Sequence, residues 1–212
     1  MRLFTAIDIP PGIADRLSAP LDRLRPLAKL SWTALGNLHI TTKFIGEWPD
    51  HRLDEVMQAL RAVPCPGPIE IAVRGLGWFP NDRNPRVFWA GIESSPALHT
   101  LAHDTERSLA AVGVAVEERA FQPHLTLARN RNRVSVDRVR QELATIPSAD
   151  FGCFRAESFF LYLSGPGNGT IEPVAAGPSP VSDTGMGRFG AVPTVGNGEY
   201  VKLTAFALAP KS

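Results

Sequence analysis

One short pattern recurs in the two halves of this 212-residue chain. Leu38-His39-Ile40-Thr41-Thr42-Lys43-Phe44-Ile45-Gly46 and Phe121-Gln122-Pro123-His124-Leu125-Thr126-Leu127-Ala128-Arg129 each carry a histidine and a threonine two positions apart in an apolar run. Side chains alternate faces along a strand, so residues i and i+2 point the same way, roughly 6–7 Å apart at Cα. His39 and Thr41 therefore share one face of a strand, and His124 and Thr126 share one face of another. A fold that unites the two strands makes a compact site with two imidazoles and two hydroxyls. The pattern is informative only on a strand. His103-Asp104-Thr105 matches it too, but lies in a helical stretch where i and i+2 point about 200° apart.

The remaining chain reads as alternating strands and helices. Residues 2–9 are β-favouring and end at Pro10-Pro11-Gly12. From Pro11 to Leu27, Ile13, Leu17, Leu21 and Leu24 fall at helical spacing, with Pro20 expected to kink or split the helix. Leu53, Val56, Met57 and Leu60 mark a second amphipathic helix, stopped by Pro64-Cys65-Pro66. Strands are expected at 69–77 and 86–92, then a helix at 96–112 capped by Ser94 or Ser95. Val114 to Glu117 is a short strand candidate, and Ser135 is expected to cap a helix that stops at Pro147. Strands at 154–163 and 200–208 complete the pattern.

Ser164 to Glu199 differs from everything around it, with nine of the 18 glycines, five prolines and no lysine. Such a composition buries too little apolar surface to fold alone, so a flexible insertion or a lid is expected there.

Composition narrows the function classes. A formal charge of +1 gives no global attraction to nucleic acid or membrane, so any anion site must be built locally. Cys65 and Cys153 lack the spacing of a disulfide framework or a zinc site, and they read as small packing residues in a reducing compartment. His99 and His103 are four apart on one helix, but the Glu of a zinc-peptidase helix is missing, so a solvated helix face is the simpler reading. His51 reads as a helix-start residue. Neither a signal segment nor a membrane-length apolar run is present, and the expectation is a soluble cytoplasmic monomer.

Two imidazoles without a nucleophilic cysteine suit paired acid–base work. With an unperturbed pKa near ~6.5, one ring accepts a proton from water while the other donates one to a leaving oxygen. Threonine hydroxyls donate hydrogen bonds to phosphate oxygens. Lys43 falls on the same strand face as His39 and Thr41 by alternation, where it either adds positive charge to the site or stands as an exposed lysine. Arg129 ends the second strand and clamps a phosphate if a twist or bulge turns it inward.

These residues resemble the two-histidine (2H) phosphoesterase superfamily. Within it, the chain is similar to the LigT-like RNA 2′,3′-cyclic phosphodiesterases, also called 2′-5′ RNA ligases. The resemblance rests on Met1-Arg2-Leu3-Phe4-Thr5-Ala6-Ile7-Asp8, Leu38 to Gly46, Gly77-Trp78-Phe79-Pro80, Arg86-Val87-Phe88-Trp89 and Phe121 to Arg129, all in family order. It implies one α+β domain over 1–212, with two pseudo-symmetric lobes of antiparallel sheet, outer helices, and the two His-x-Thr strands facing each other across a central cleft. The Gly/Pro-rich insertion at about 164–199 is longer than relatives carry.

The implied activity is hydrolysis of terminal 2′,3′-cyclic phosphates on RNA ends or nucleotides to 2′-phosphates, with neither metal nor other cofactor. His124 is expected as base and His39 as acid, in roles that sequence leaves exchangeable. Thr41 and Thr126 are expected to hold phosphate oxygens, and Phe79 and Trp89 to stack a base or to pack in the core. The alternatives are an RNA- or nucleotide-binding protein without relevant turnover, action on cyclic phosphates of ADP-ribose, and 2′-5′ RNA ligation.

Overall fold

The computed structural model describes residues 1–146, 149–165 and 200–208. The elements run β1 (Arg2–Asp8), α1 (Pro11–Leu24), β2 (Ser31–Trp32), β3 (His39–Glu47), α2 (Leu53–Arg61), β4 (Ile69–Phe79) and β5 (Val87–Ser94). They continue with α3 (Pro96–Ala110), β6 (His124–Arg129), α4 (Asp137–Leu143), β7 (Asp150–Ala156), β8 (Ser158–Ser164) and β9 (Tyr200–Ala207). Of the segment expected as an insertion, residues 166–199 lie outside the described residues.

Local chemistry explains most boundaries. Pro11 occupies the first turn of α1, where its missing N–H costs nothing. Pro20 does not split α1, which runs on to Leu24. A proline inside a helix costs about 3 kcal/mol. Burial of Ile13, Leu17, Leu21 and Leu24 on one face contributes roughly 1.5–3 kcal/mol per side chain and outweighs it. Ser95 stands at the start of α3 without a capping side-chain bond. At α4, the Ser135 hydroxyl accepts a bond from the Asp137 amide at 3.3 Å. Val114 to Glu117, expected as a strand, joins no ladder among the described residues. Lys43 reaches across to this stretch, and its ammonium bonds the Ala115 carbonyl that a strand would have paired.

All the described strands belong to one antiparallel sheet in the order β7-β4-β5-β6-β3-β1-β8-β9, with β2 also on β6. The order is itself nearly symmetric. Four strands lie on each side of the β6–β3 seam, and the two histidine strands are the innermost members of their halves. They lie side by side, where sequence reasoning expected them to face each other. The seam is a single pair, Ile40 opposite Leu125. Beyond it, β2 takes the edge of β6 at Ala128 and Arg129.

The helices cover one face of the sheet, α1 against β7 and α3 against β3. Ile40, Leu125, Leu127, Phe88 and Ala90 are fully buried on that side. The opposite, concave face carries a cavity of about 710 Å³. Because Leu125 is a fully buried half of the seam pair, Leu125→Ala should cost about 2–5 kcal/mol. Urea unfolding measures this, and a change under about 1 kcal/mol would show that the seam does not hold the halves together.

Candidate active site

The seam register decides the arrangement of the site. One residue on either side of the Ile40–Leu125 pair, antiparallel pairing sets His39 opposite Thr126 and Thr41 opposite His124. Alternation sends Ile40 and Leu125 into the core and all four polar side chains to the concave face. His39, Thr41 and Thr126 line the cavity.

Both imidazoles are held in the same way. His39 Nδ1 donates to the Asn37 carbonyl at 2.8 Å, and His124 Nδ1 donates to the Gln122 carbonyl at 2.8 Å. A carbonyl only accepts, so Nδ1 carries the proton in each ring and Nε2 carries the lone pair. The same two-residue loop-back at both strand starts gives two rings of one tautomer.

Their surroundings differ. Phe4 stacks on His39 with centroids 4.9 Å apart, and Tyr200 meets the same ring edge-on at 5.3 Å. Tyr162 stacks behind Phe4 at 5.1 Å, and its hydroxyl bonds the Asp8 carboxylate, which also holds Lys202 at 2.6 Å. Burial draws the His39 pKa down to about 4, against the opposing pull of the Asn37 bond and Asp8, with Arg129 and His124 adding repulsion. Against His124, by contrast, Phe79 packs edge-on at 5.0 Å. Burial also lowers this ring's pKa, aided by the Arg129 charge. Burial and the Asp8 bond raise the Tyr162 pKa, so it stays a neutral donor.

Positive charge lines the cavity through Arg2, Arg119, Arg129 and Arg131. Burial lowers the Arg129 pKa, and Arg131 and Arg2 lower it further by repulsion, against the pull of Tyr200. Guanidinium groups crowded in this way favour an anion between them.

A bulge brings Arg129 inward. Phe88 pairs with Ala128 and Trp89 with Thr126, which leaves Leu127 as the extra residue in this ladder. Leu127 and Ala128 both turn into the core, and Arg129 takes the concave face. The equivalent bulge on β3 overturns the reading of Lys43. Thr5 pairs with Lys43 and Ala6 with Thr41, so Thr42 is the extra residue, and its hydroxyl meets that of Thr5 at 2.7 Å. The slip puts Lys43 on the helix side. There its side chain is 4% exposed and its ammonium pairs with Glu106 of α3 at 2.6 Å. The place expected for Lys43 goes to Phe44.

Phe79 and Trp89 are half-buried neighbours of His124 and Thr126, with rings 5.2 Å apart. Neither lines the cavity. Trp89 lies over Gly77 and Gly91, and a Cβ on Gly77 would overlap its ring. The packing reading therefore fits these two better than base stacking. His103 is on the exposed side of α3 beside Asp104 at 3.3 Å, and His99 packs on Phe121 at 5.4 Å.

Sequence reasoning did not single out Arg2, Phe4, Phe44, Arg119, Arg131 or Tyr200. One signal for two positions at the bulges was available. Phe44 and Arg129 both stand five residues after their histidine.

A family model for the 2′-5′ RNA ligase superfamily matches residues 13–164. The chain belongs to that superfamily. It is 30% identical over 164 residues to the RNA 2′,3′-cyclic phosphodiesterase of Methanocaldococcus jannaschii, a match that covers 77% of this chain and 91% of that protein. Among solved structures, TT0787 of Thermus thermophilus superposes with a TM-score of 0.70 at 25% identity, over the full length of both chains. E. coli LigT complexed with 3′-AMP gives 0.69 at 24% identity, over 99% of this chain and 98% of that one, and shows the same fold. The α+β fold expected from the resemblance is therefore that of LigT. No described helix is long and apolar enough to cross a membrane.

Two outcomes follow from these environments. Between about pH 4 and 6.5, folded His39 is neutral while the unfolded chain binds the proton, so stability falls as pH drops through that window and levels off below it. The His39 share is about 3 kcal/mol, and His39→Gln should flatten the acid limb of stability against pH. An unaltered slope would count against a depressed pKa. Lys43→Ala strands Glu106 and should cost about 2–4 kcal/mol in urea unfolding. A variant of unchanged stability with a raised KM would return Lys43 to the cleft.

Proposed function

We propose that this protein is an RNA 2′,3′-cyclic phosphodiesterase, which opens terminal 2′,3′-cyclic phosphates on RNA ends or nucleotides. The observation that carries this reading is the pair of identically held imidazoles. Two Nε2 atoms with matching tautomers stand on adjacent strands, beside two threonine hydroxyls and a cationic cavity. Membership in the superfamily and the naming of its relatives support the same chemistry.

In this reading the cyclic phosphate sits between the histidines, with Arg129 and the hydroxyls of Thr41 and Thr126 on its non-bridging oxygens. One imidazole takes a proton from water as the new O–P bond forms in line with the breaking P–O3′ bond. The other gives its proton to the departing 3′-oxygen. The product keeps a 2′-phosphate and gains a 3′-hydroxyl. Charge on the phosphate is matched by the arginine and the hydroxyl donors, so acid–base exchange between the rings completes the reaction without a metal.

Burial lowers the pKa of both rings, so the electrostatics leave the two roles exchangeable. We keep His124 as the base and His39 as the acid. After each turnover the proton passes back through solvent.

A 2′,3′-cyclic nucleotide assay with EDTA present tests the reaction. His39→Ala and His124→Ala should each lose on the order of 10²–10⁴ in rate. Activity that survives both substitutions, or vanishes with EDTA in the unmodified protein, would overturn the mechanism. A 3′-bridging sulfur leaves without a proton, so on that substrate His39→Ala should recover and His124→Ala should not. The opposite pattern would exchange the two roles.

A further inference from the structure

We infer that Asp8 is a positioning residue for the acid: held opposite His39 by Tyr162 and Lys202, its carboxylate keeps the proton on that imidazole until the 3′-oxygen departs. The inference deepens the cyclic phosphodiesterase reading and the part His39 plays in it, and rests on both.

The sheet register places the group. Asp8 pairs with His39 across β1 and β3, and side chains directly opposite stand roughly 4.5–5.5 Å apart at Cβ. The extra residues in this ladder lie on β3, so β1 keeps its alternation, and Asp8 shares the concave face with Ala6 and the cavity-lining Phe4. Both carboxylate oxygens are engaged. Oδ1 accepts from the Tyr162 hydroxyl, and Oδ2 accepts from the Lys202 ammonium at 2.6 Å. Lys202 in turn lies over the Phe160 ring at 3.9 Å. Residues from β8 and β9 thus fix one carboxylate of β1 beside one imidazole. Asp8 and Lys202 are 37% and 44% exposed, and an ion pair so open to water adds little to stability. Folding alone gives little reason for it.

The other half has no counterpart. In the corresponding place, opposite His124 on β5, stands Gly91. A Cβ there would come within 2.4 Å of the Arg74 carbonyl oxygen, so the position takes no side chain. One histidine therefore has an anion across from it, and the other has bare backbone. The remaining groups around His39 make that anion count. Arg129 and His124 on β6 repel a proton from the ring, Tyr162 on β8 stays neutral, and Tyr200 on β9 meets the ring edge-on. Lys202, also on β9, is held on Asp8. Among the described residues Asp8 is the only carboxylate that acts on the ring. With the Asn37 carbonyl, it offsets part of the cost of charging an enclosed imidazole. An acid needs that help, because it must hold its proton before the reaction, whereas a base starts without one.

The test uses Asp8→Asn, which keeps the shape and an acceptor for Tyr162, and Lys202→Met, which leaves the Asp8 charge unopposed. Titration of the His39 ring by NMR should place its midpoint at lower pH in Asp8→Asn and at higher pH in Lys202→Met. On adenosine 2′,3′-cyclic phosphate, Asp8→Asn should lose roughly three- to thirtyfold in kcat, the weight of one charge at this range, with KM little changed. On the analogue with a 3′-bridging sulfur that loss should vanish, because the leaving group needs no proton. An unmoved midpoint in Asp8→Asn, midpoints that move the same way in both variants, or an equal loss on the two substrates would overturn the inference. Recovery of His124→Ala on the sulfur analogue, in place of His39→Ala, would overturn the assignment of roles and the inference with it. If the unmodified protein opens neither substrate, the cyclic phosphodiesterase reading fails, and the two NMR midpoints decide for or against Asp8.

Discussion

Everything at this site depends on one antiparallel contact, Ile40 against Leu125. Among the described residues it is the only backbone pairing between β3 and β6, and each strand is otherwise bound to its own half of the sheet. Antiparallel pairing makes the relation reciprocal, so each histidine stands across from the other strand's threonine. A shift of one residue would turn Ile40 and Leu125 to the concave face and the histidines into the core. The burial of the two aliphatic side chains is thus what holds the polar ones together.

Two strand bulges then set what surrounds the histidines. Each inserts one residue just after the threonine, and each reverses the alternation of faces for the residues that follow. On β6 the result is an arginine in the cavity. On β3 the result is a phenylalanine in the cavity and a lysine in the core, where it is matched by Glu106. The two halves share a device but present different side chains from it.

The aromatic rings divide the histidines in a similar way. Phe4, Tyr162 and Tyr200 crowd His39, while Phe79 is the ring against His124. Desolvation penalises the charged imidazole, so the more enclosed ring loses its proton more readily. Asp8 lies opposite His39 in the β1–β3 register and pulls the other way, without reversing the effect. Two residues of the same type thereby become chemically distinct, which acid–base catalysis by a pair requires.

The sequence alone determined the two His-x-Thr strands, the shared face within each, the rejection of the helical third copy, and most helix boundaries. All of these follow from local periodicity, because strand alternation and helical spacing are properties of a few consecutive residues. It also raised the condition on which Arg129 depended, a bulge. The tertiary structure decided whether the bulges existed and where, because an extra residue is visible only against a partner strand. Lys43 and Phe44 exchanged faces for that reason. Burial of α1 against the sheet carried the helix through Pro20, an outcome set by packing that local propensity does not contain. The difference between His39 and His124 arose in the same way, since Phe4, Tyr162 and Tyr200 reach one ring from strands distant in the chain.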